Sequence, residues 1–242
     1  MQCFVPDLSS FPPYHQPLKP YIFPPADVAK LIRAANGLER KPVSPLRPEV
    51  IRLAIVLLFT TGIRRGELLG VTLGDCDRRE LTLLIRETKV YKSRLLPLNE
   101  GIADEIDRYL RARARYKLPV FSDTALIWHA SHGGRAYSGT SLRCCLQPLL
   151  RKCGILTPKG KLPRNHDLRH SFAVNALLRW YRADADVVEA KLPLLATYLG
   201  HGSAVSTHHY LHFIEPLRTV TSERFANHYG ELVSPAPQTR HR

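Results

Sequence analysis

The 242-residue chain lacks the features that mark membrane-spanning, secreted or disulfide-stabilised proteins. A transmembrane helix needs about 18 consecutive apolar residues, and no stretch of this sequence approaches that length. The N-terminus has no basic stretch followed by an apolar core, as a secretory signal would have. The five cysteines form no Cys-x-x-Cys pair, and an odd number with one adjacent pair is a poor disulfide framework. We therefore expect a cytoplasmic protein with reduced thiols and no membrane partner.

Acidic side chains are also scarce relative to basic ones. The chain has 21 Asp and Glu residues against 35 Lys and Arg residues, which gives a formal net charge of +14. An excess of this size favours a polyanionic partner, most often nucleic acid, over a merely solubilising surface. The sequence offers no convincing cluster of metal ligands, so we expect neither a metal nor another cofactor.

Proline and hydrophobic periodicity divide the chain into three parts. Residues 1–25 are rich in proline and predict an extended arm or linker, because proline cannot continue a helix. Residues 26–230 alternate helical and strand patterns and predict the folded domain. Residues 231–242 are predicted to be a flexible basic tail.

The patterns within the folded domain predict an α+β fold, mainly helical with a small antiparallel β-sheet. Helices are predicted at 26–36, 48–61, around Glu67, at 100–115, 138–152, from 166, at 184–199 with an interruption at Pro193, and at 215–228. The arginines of the helix at 100–115 are predicted to point outward. Strands are predicted at 81–86 and 93–98, with Pro97 favouring an edge strand. A further short strand is predicted at 126–128. Asn165 is predicted to cap the helix that carries His166.

The last quarter of the chain carries residues suited to phosphodiester chemistry. His166 and Arg169 are three positions apart, which places them on one helix face. Arginine can hold two phosphate oxygens in a planar fork, and histidine can move protons or donate hydrogen bonds. Tyr210 follows His201 by nine positions, across a predicted loop and a helix start at Ser203. A tyrosine can act as the nucleophile that forms a covalent intermediate.

A third motif upstream gives the combination its specificity. Thr61–Leu68 reads Thr-Gly-Ile-Arg-Arg-Gly-Glu-Leu, His166–His170 reads His-Asp-Leu-Arg-His, and Leu199–His201 reads Leu-Gly-His. With these three boxes in this order, residues 25 to 230 resemble the tyrosine recombinase (phage integrase) family, and the segment before His201 looks like the integrases of transposon-borne recombinase sets. The resemblance implies a mainly helical catalytic domain with a small sheet. Members usually carry a separate helical DNA-binding domain first, so we expect a fragment, a catalytic-domain variant or a partner-dependent protein.

The resemblance also implies a mechanism and its residues. A site-specific recombinase or integrase cuts and rejoins DNA through a 3′-phosphotyrosyl intermediate, without metal or ATP. The implied roles are nucleophile for Tyr210, phosphate binding for Arg64, Arg169 and His201, proton acceptor for His166, and proton donor to the leaving oxygen for Lys89. Glu67 is expected to position the Arg64 turn, and His170 to pack or brace the site.

The expected partners are double-stranded DNA, further copies of the chain in a tetramer on DNA, and other recombinases. A helix at 215–228 is expected either to dock on a neighbouring subunit or to pack on its own domain. Three alternatives stay open at this point: a type IB topoisomerase, a telomere resolvase and a DNA-binding remnant without activity.

Overall fold

The computed structural model of the chain describes residues 19–86, 93–130, 134–183, 187–200 and 210. Within these ranges the helices are α1 (Pro25–Asn36), α2 (Arg47–Thr61), α3 (Arg65–Gly70), α4 (Glu100–Arg115), α5 (Gly139–Lys152), α6 (Asn165–Ala183) and α7 (Val187–Leu199). The strands are β1 (Cys76–Asp77), β2 (Thr82–Ile85) and β3 (Arg94–Pro97), antiparallel in the order β1-β2-β3. The predicted α+β architecture is confirmed.

Helix α2 forms the centre of the domain. Leu53, Ile55 and Leu57 have no exposed surface although they point in different directions around the helix. A helix that is apolar on all sides is stable only when other elements surround it. Helices α1, α4 and α6 pack against α2 and provide that cover. The C-terminus of α2 is therefore held in place from several sides.

The chain turns sharply where α2 ends. Gly62 adopts a left-handed conformation with φ +61°, which glycine reaches without the steric cost that a Cβ imposes. Thr61 ties the turn together, since its hydroxyl donates to the Leu57 carbonyl at 2.7 Å and accepts from the Ile63 amide at 3.3 Å. Ile63 is fully buried. The next residue, Arg64, consequently emerges at a fixed position directly before α3.

The sheet matches the predicted hairpin and adds a short strand. Thr82 pairs with Pro97 and Ile85 with Arg94, and β3 is an edge strand, as Pro97 predicted. Strand β1 has only two residues, too few for a periodic pattern to indicate it. The segment 87–92, including Lys89, lies outside the described residues.

Arg113 corrects the prediction that the arginines of α4 all point outward. Its side chain is completely buried. The guanidinium donates to the carbonyls of Pro119 at 2.7 Å and Ala125 at 3.0 Å, and to the Tyr109 hydroxyl at 3.0 Å. The irregular segment after α4 thus satisfies its carbonyls with a buried cation, which helical periodicity does not indicate.

Three further predictions differ in detail. Helix α7 continues through Pro193 without the expected interruption. Asn165 is the first residue of α6 and not its cap; Asp167 accepts a hydrogen bond from the Arg164 amide at 2.9 Å, as the third helical residue of a capping box does. The strand predicted at Leu126–Trp128 appears only as isolated bridges, Thr72 to Ala125 and Trp128 to Ala136. The helix expected at 215–228 and the start at Ser203 lie outside the described residues.

Within the described ranges, none of the helices is sufficiently long and apolar to traverse a lipid bilayer.

Replacing Gly62 by Ala should destabilise the domain by roughly 2–5 kcal/mol. A left-handed non-glycine residue costs about 1–2 kcal/mol, and overpacking a core adds about 1–3 kcal/mol. A Cβ at Gly62 would lie 2.5 Å from Phe172 Cδ1 and 3.0 Å from Leu199 Cδ2. Gly154→Ala is the matched control, since Gly154 has φ +66° and no atom within 4 Å of its Cβ position. Urea unfolding measures both; equal losses would contradict the packing argument.

Candidate active site

Arg169 lies at the centre of the site. It is 1% exposed, and its guanidinium donates to the carbonyls of Gly62 and Leu199, each at 2.6 Å. Burial, followed by the charge of Arg64, lowers its pKa to about 10, so the group stays charged at neutral pH. Arg169 therefore fastens the turn after α2 to the end of α7 and places a buried positive charge between them.

Arg64 approaches the same end of α7 from the other side. Its Nη2 donates to the Gly200 carbonyl at 2.5 Å, and its Nη1 donates to Glu67 Oε1 at 2.7 Å. The Arg64 amide also donates to Glu67 Oε2 at 3.0 Å. The two predicted phosphate-binding arginines are thus held side by side, on consecutive carbonyls of one helix end. An anion bound between them would relieve their mutual repulsion.

Glu67 is shared between Arg64 and a third arginine, Arg94. Arg94 donates to Glu67 Oε1 at 3.1 Å and Oε2 at 2.8 Å, and its Nε donates to the Tyr198 carbonyl at 3.0 Å. Burial of the Glu67 carboxyl opposes ionisation, but the hydrogen bonds from Arg94 and Arg64 outweigh it and hold its pKa below the ordinary value. We call Arg64, Arg94 and Arg169 the arginine cap of α7, because they occupy three consecutive carbonyls, those of Tyr198, Leu199 and Gly200.

Tyr210 lies against α6, the helix that carries Arg169. It is 3% exposed, and its hydroxyl is 3.0 Å from His170 Nδ1. The His166 ring packs edge-on against His170, with ring centroids 4.7 Å apart. Burial raises the pKa of Tyr210, although the charges of Arg169 and Arg64 oppose the rise. The phenol that the sequence pattern singled out therefore lies beside α6, which carries Arg169.

The two histidines of α6 are neutral near neutral pH. Burial lowers the pKa of His170 to about 4, with a contribution from His166. Partial desolvation by the surrounding protein and then the charge of Arg169 lower the pKa of His166, although this side chain keeps an exposed face. A neutral imidazole can accept a proton from the phenol. In this structure the imidazole in contact with the phenol is that of His170, and the acceptor role of His166 stays a prediction. His170 is one turn after His166, and this i, i+4 spacing is the sequence signal for their contact.

His201 and Lys89 lie outside the described residues, so their positions and roles stay predictions.

A basic cavity of about 850 Å³ opens beside the arginine cap. Its lining includes the arginines 64, 65, 86, 143 and 164, together with Gln147, Asn165 and His166. Asn165 is 9% exposed, and among the described residues its Nδ2 has no hydrogen-bond partner. A buried amide donor without a partner in a cationic cavity is suited to an anionic oxygen. Sequence reasoning missed Arg143 and Gln147, whose only signal is their i, i+4 spacing on α5.

The sequence model of the phage integrase family matches residues 23–215 of this chain. The chain belongs to this family. The phage integrase match includes the Arg64, Arg169 and Tyr210 positions and confirms the tyrosine recombinase catalytic domain that the three boxes predicted.

Several phage integrase relatives have known names. A Sinorhizobium fredii protein named as integrase/recombinase y4rE is 36% identical over 205 residues, covering 85% of this chain and 64% of that protein. Tyrosine recombinase XerD of Mycobacterium tuberculosis is 32% identical over 205 residues, covering 76% of this chain and 61% of XerD. The chain thus spans less than two thirds of the length of these relatives.

Solved structures agree on the fold. The crystal structure of XerA recombinase matches with a TM-score of 0.63 and 24% identity, covering 88% of this chain and 67% of XerA. The post-cleavage complex of XerH recombinase with a palindromic difH substrate matches with a TM-score of 0.62 and 25% identity, covering 84% of this chain and 53% of XerH.

Acidification should destabilise the domain partly through His170. The folded pKa is about 4, whereas an unfolded histidine titrates near 6.5. Between these values only the unfolded chain takes up the proton, so the free energy of unfolding falls as the pH falls. The loss is at most about 1.4 kcal/mol for each pH unit. His170→Gln should reduce this slope, as measured by urea unfolding at pH 7.5, 5.5 and 4.5.

The value at pH 7.5 serves as the internal control, since it reports the packing and hydrogen bonding lost with the ring. His166 remains in the variant and keeps its own contribution to the slope. Parallel stability curves for the two proteins across this window would contradict the lowered pKa of His170.

Proposed function

We propose that this domain breaks and rejoins double-stranded DNA as a site-specific tyrosine recombinase, through a 3′-phosphotyrosyl intermediate. The observation that carries the proposal is the convergence of two arginine side chains and one tyrosine. Arg64 and Arg169 are fixed on adjacent carbonyls of α7, and the Tyr210 hydroxyl contacts His170, the residue next to Arg169. Cationic donors beside a buried tyrosine suit attack on a phosphodiester.

In the first step the Tyr210 oxygen attacks the scissile phosphorus, and the bond from phosphorus to the 5′-oxygen breaks. The phenol proton passes to a neutral imidazole, and the departing oxygen takes a proton from Lys89. In the second step a 5′-hydroxyl from another duplex attacks the phosphotyrosyl bond and releases Tyr210. One phosphoester bond replaces another in each step, so no ATP is consumed.

The arginines act on the charge of the phosphate. Negative charge on the two nonbridging oxygens grows as phosphorus becomes five-coordinate, and donors already in position stabilise it without reorganisation. Glu67 and the α7 carbonyls hold Arg64 and Arg169 in place before DNA arrives. We expect His201 to add a further hydrogen bond. Since Tyr210 is only 3% exposed, its hydroxyl must become accessible when DNA binds.

The basic cavity supports duplex DNA as the substrate. Arginines from α3, α5 and the segment before α6 line it together with the unpartnered Asn165 amide. Contacts of this kind bind the phosphate backbone and lose affinity as salt concentration rises. The related XerH was crystallised on its difH substrate, which supports a DNA partner here. Assembly of four copies on DNA, with or without partner recombinases, belongs to the same proposal.

Replacing Tyr210 by Phe should abolish covalent attachment while leaving DNA affinity unchanged. The aromatic ring and its packing remain, and only the nucleophilic oxygen is lost. The assay mixes the protein with a nicked duplex and looks for a protein–DNA adduct on a denaturing gel. Tyr198→Phe is the matched control and should form the adduct normally. The Tyr198 ring stacks on Phe172, and the hydroxyl that this substitution removes is not the proposed nucleophile.

An adduct with Tyr210→Phe would show that another residue is the nucleophile. Supercoil relaxation without strand exchange by the unaltered protein would instead favour the topoisomerase alternative.

Lys89→Ala should cleave ordinary DNA more slowly by roughly 10²–10⁴-fold, the usual contribution of a general acid. Replacing the bridging 5′-oxygen by sulfur should restore nearly full cleavage, because a thiolate leaves without a proton. Arg64→Ala is the contrasting variant and should stay slow on both substrates, since Arg64 serves the nonbridging oxygens. Rates of adduct formation on the two substrates measure this. Sulfur rescue of Arg64→Ala but not of Lys89→Ala would reverse the assignment of roles.

A further inference from the structure

Arg94 is the member of the arginine cap to which no role has been given. It begins strand β3, five positions after Lys89, and its side chain is 14% exposed. Its three guanidinium nitrogens each donate to the protein, two to Glu67 and one to the Tyr198 carbonyl. Three of its five N–H donors are thus used within the protein, and Arg94 is not among the described residues that line the basic cavity.

The pairing of Arg94 with Glu67 determines how much of the Arg64 positive charge Glu67 offsets. The Glu67 side chain is 8% exposed, and both of its oxygens accept from Arg64 as well as from Arg94. With Arg64 as its sole partner, the carboxylate would neutralise the Arg64 charge. With Arg94 present, two cations share one anion, so the cluster keeps one positive charge that faces the cavity through Arg64.

Arg94 also lies against the turn at Gly200, directly after α7. A Cβ at Gly200 would lie 2.8 Å from Arg94 Nη1 and 3.3 Å from Arg64 Nη1. Gly200 has φ +66°, and the two guanidinium groups occupy the space that a side chain there would need. Arg94 holds the carbonyl of Tyr198 and Arg64 holds that of Gly200. The turn and the two arginines therefore determine one another's positions.

We propose that Arg94 is a positioning residue for the recombination reaction, which orients Arg64 through Glu67 and orients the end of α7, as far as Gly200, through the Tyr198 carbonyl. Arg94 does not touch DNA and moves no proton. This inference rests on the proposed function, because the geometry it maintains is that of the phosphate-binding arginines. It also ties the strand that follows Lys89 to the arginine cap.

The test compares Arg94→Met and Arg94→Lys with a control variant, Arg52→Met. Arg52 forms a similar bidentate pair with Glu105, at 2.5 and 2.7 Å, but it joins α2 to α4 away from the arginine cap. Single-turnover adduct formation is measured at saturating nicked DNA, and the dissociation constant for DNA is measured separately. Arg94→Met should slow the reaction by about 10–100-fold with an unchanged dissociation constant, which marks an effect on the transition state. Arg94→Lys should recover part of the rate, and Arg52→Met should react normally.

A methylphosphonate at the scissile position separates positioning from general destabilisation. This group lacks one nonbridging charge, so cleavage depends less on Arg64. The defects of Arg94→Met and Arg64→Ala should therefore both shrink on this substrate. On ordinary DNA, Arg94→Met should slow Arg64→Ala by much less than it slows the unaltered protein. The inference is wrong if Arg94→Met is equally impaired on both substrates, slows Arg64→Ala as much as it slows the unaltered protein, or weakens DNA binding at an unchanged rate.

A measurement without DNA keeps the inference separate from the proposed function. In nitrogen-15 NMR spectra, the Arg64 Nε–H signal is assigned by its absence from Arg64→Ala. Arg94→Met should shift this signal and speed its hydrogen exchange, whereas Arg52→Met should not. An unchanged signal in Arg94→Met overturns the inference even if the protein is active. Absence of any adduct with the unaltered protein refutes the proposed function, and the NMR result still decides the role of Arg94.

Discussion

Three carbonyl groups at the C-terminus of α7 are the constraint on which the site depends. The last carbonyls of a helix have no partner within it and carry the negative end of its dipole. Here those of Tyr198, Leu199 and Gly200 are each occupied by a different arginine. A buried carbonyl left without a partner costs about 1–3 kcal/mol. The same hydrogen bonds that satisfy the helix end therefore gather the charges that the proposed chemistry requires.

The three arginines come from distant parts of the chain, and the fold brings them together at the end of α7. Arg64 follows the fully buried α2, Arg94 starts the edge strand, and Arg169 lies on α6. Helix α2 packs against both α1 and α6, so the position of Arg64 relative to Arg169 is fixed by the core itself. The gathered positive charge is unfavourable without an anion, and among the described residues Glu67 is the carboxylate that pairs with Arg64 and Arg94. Binding of a phosphate would relieve this repulsion.

Local patterns in the sequence predicted most of the architecture. The 3.6-residue period located the helices, Gly62 marked the end of α2, and Pro97 placed its strand at the edge of the sheet. The three boxes predicted the family, which the comparison confirmed. The roles of Arg64, Lys89, His166, Arg169, His201 and Tyr210 stay predictions. The patterns could not predict contacts between residues far apart in the sequence. Arg64 and Gly200, which form a hydrogen bond, are separated by 136 positions. Arg94 and Tyr198 are separated by 104 positions.

The wall of the cavity that α5 supplies is separate from the arginine cap. Arg143 and Gln147 face the cavity, yet in the part of the chain that the structure describes neither forms a hydrogen bond to Arg64, Arg94 or Arg169. Changes on this face of α5 would leave the helix-end carbonyls and their partners untouched. Under the proposed function, a lineage of such proteins could therefore vary α5 to suit new DNA partners while the arginine cap stays constant. The same division gives a protein engineer a surface to randomise without disturbing the chemistry.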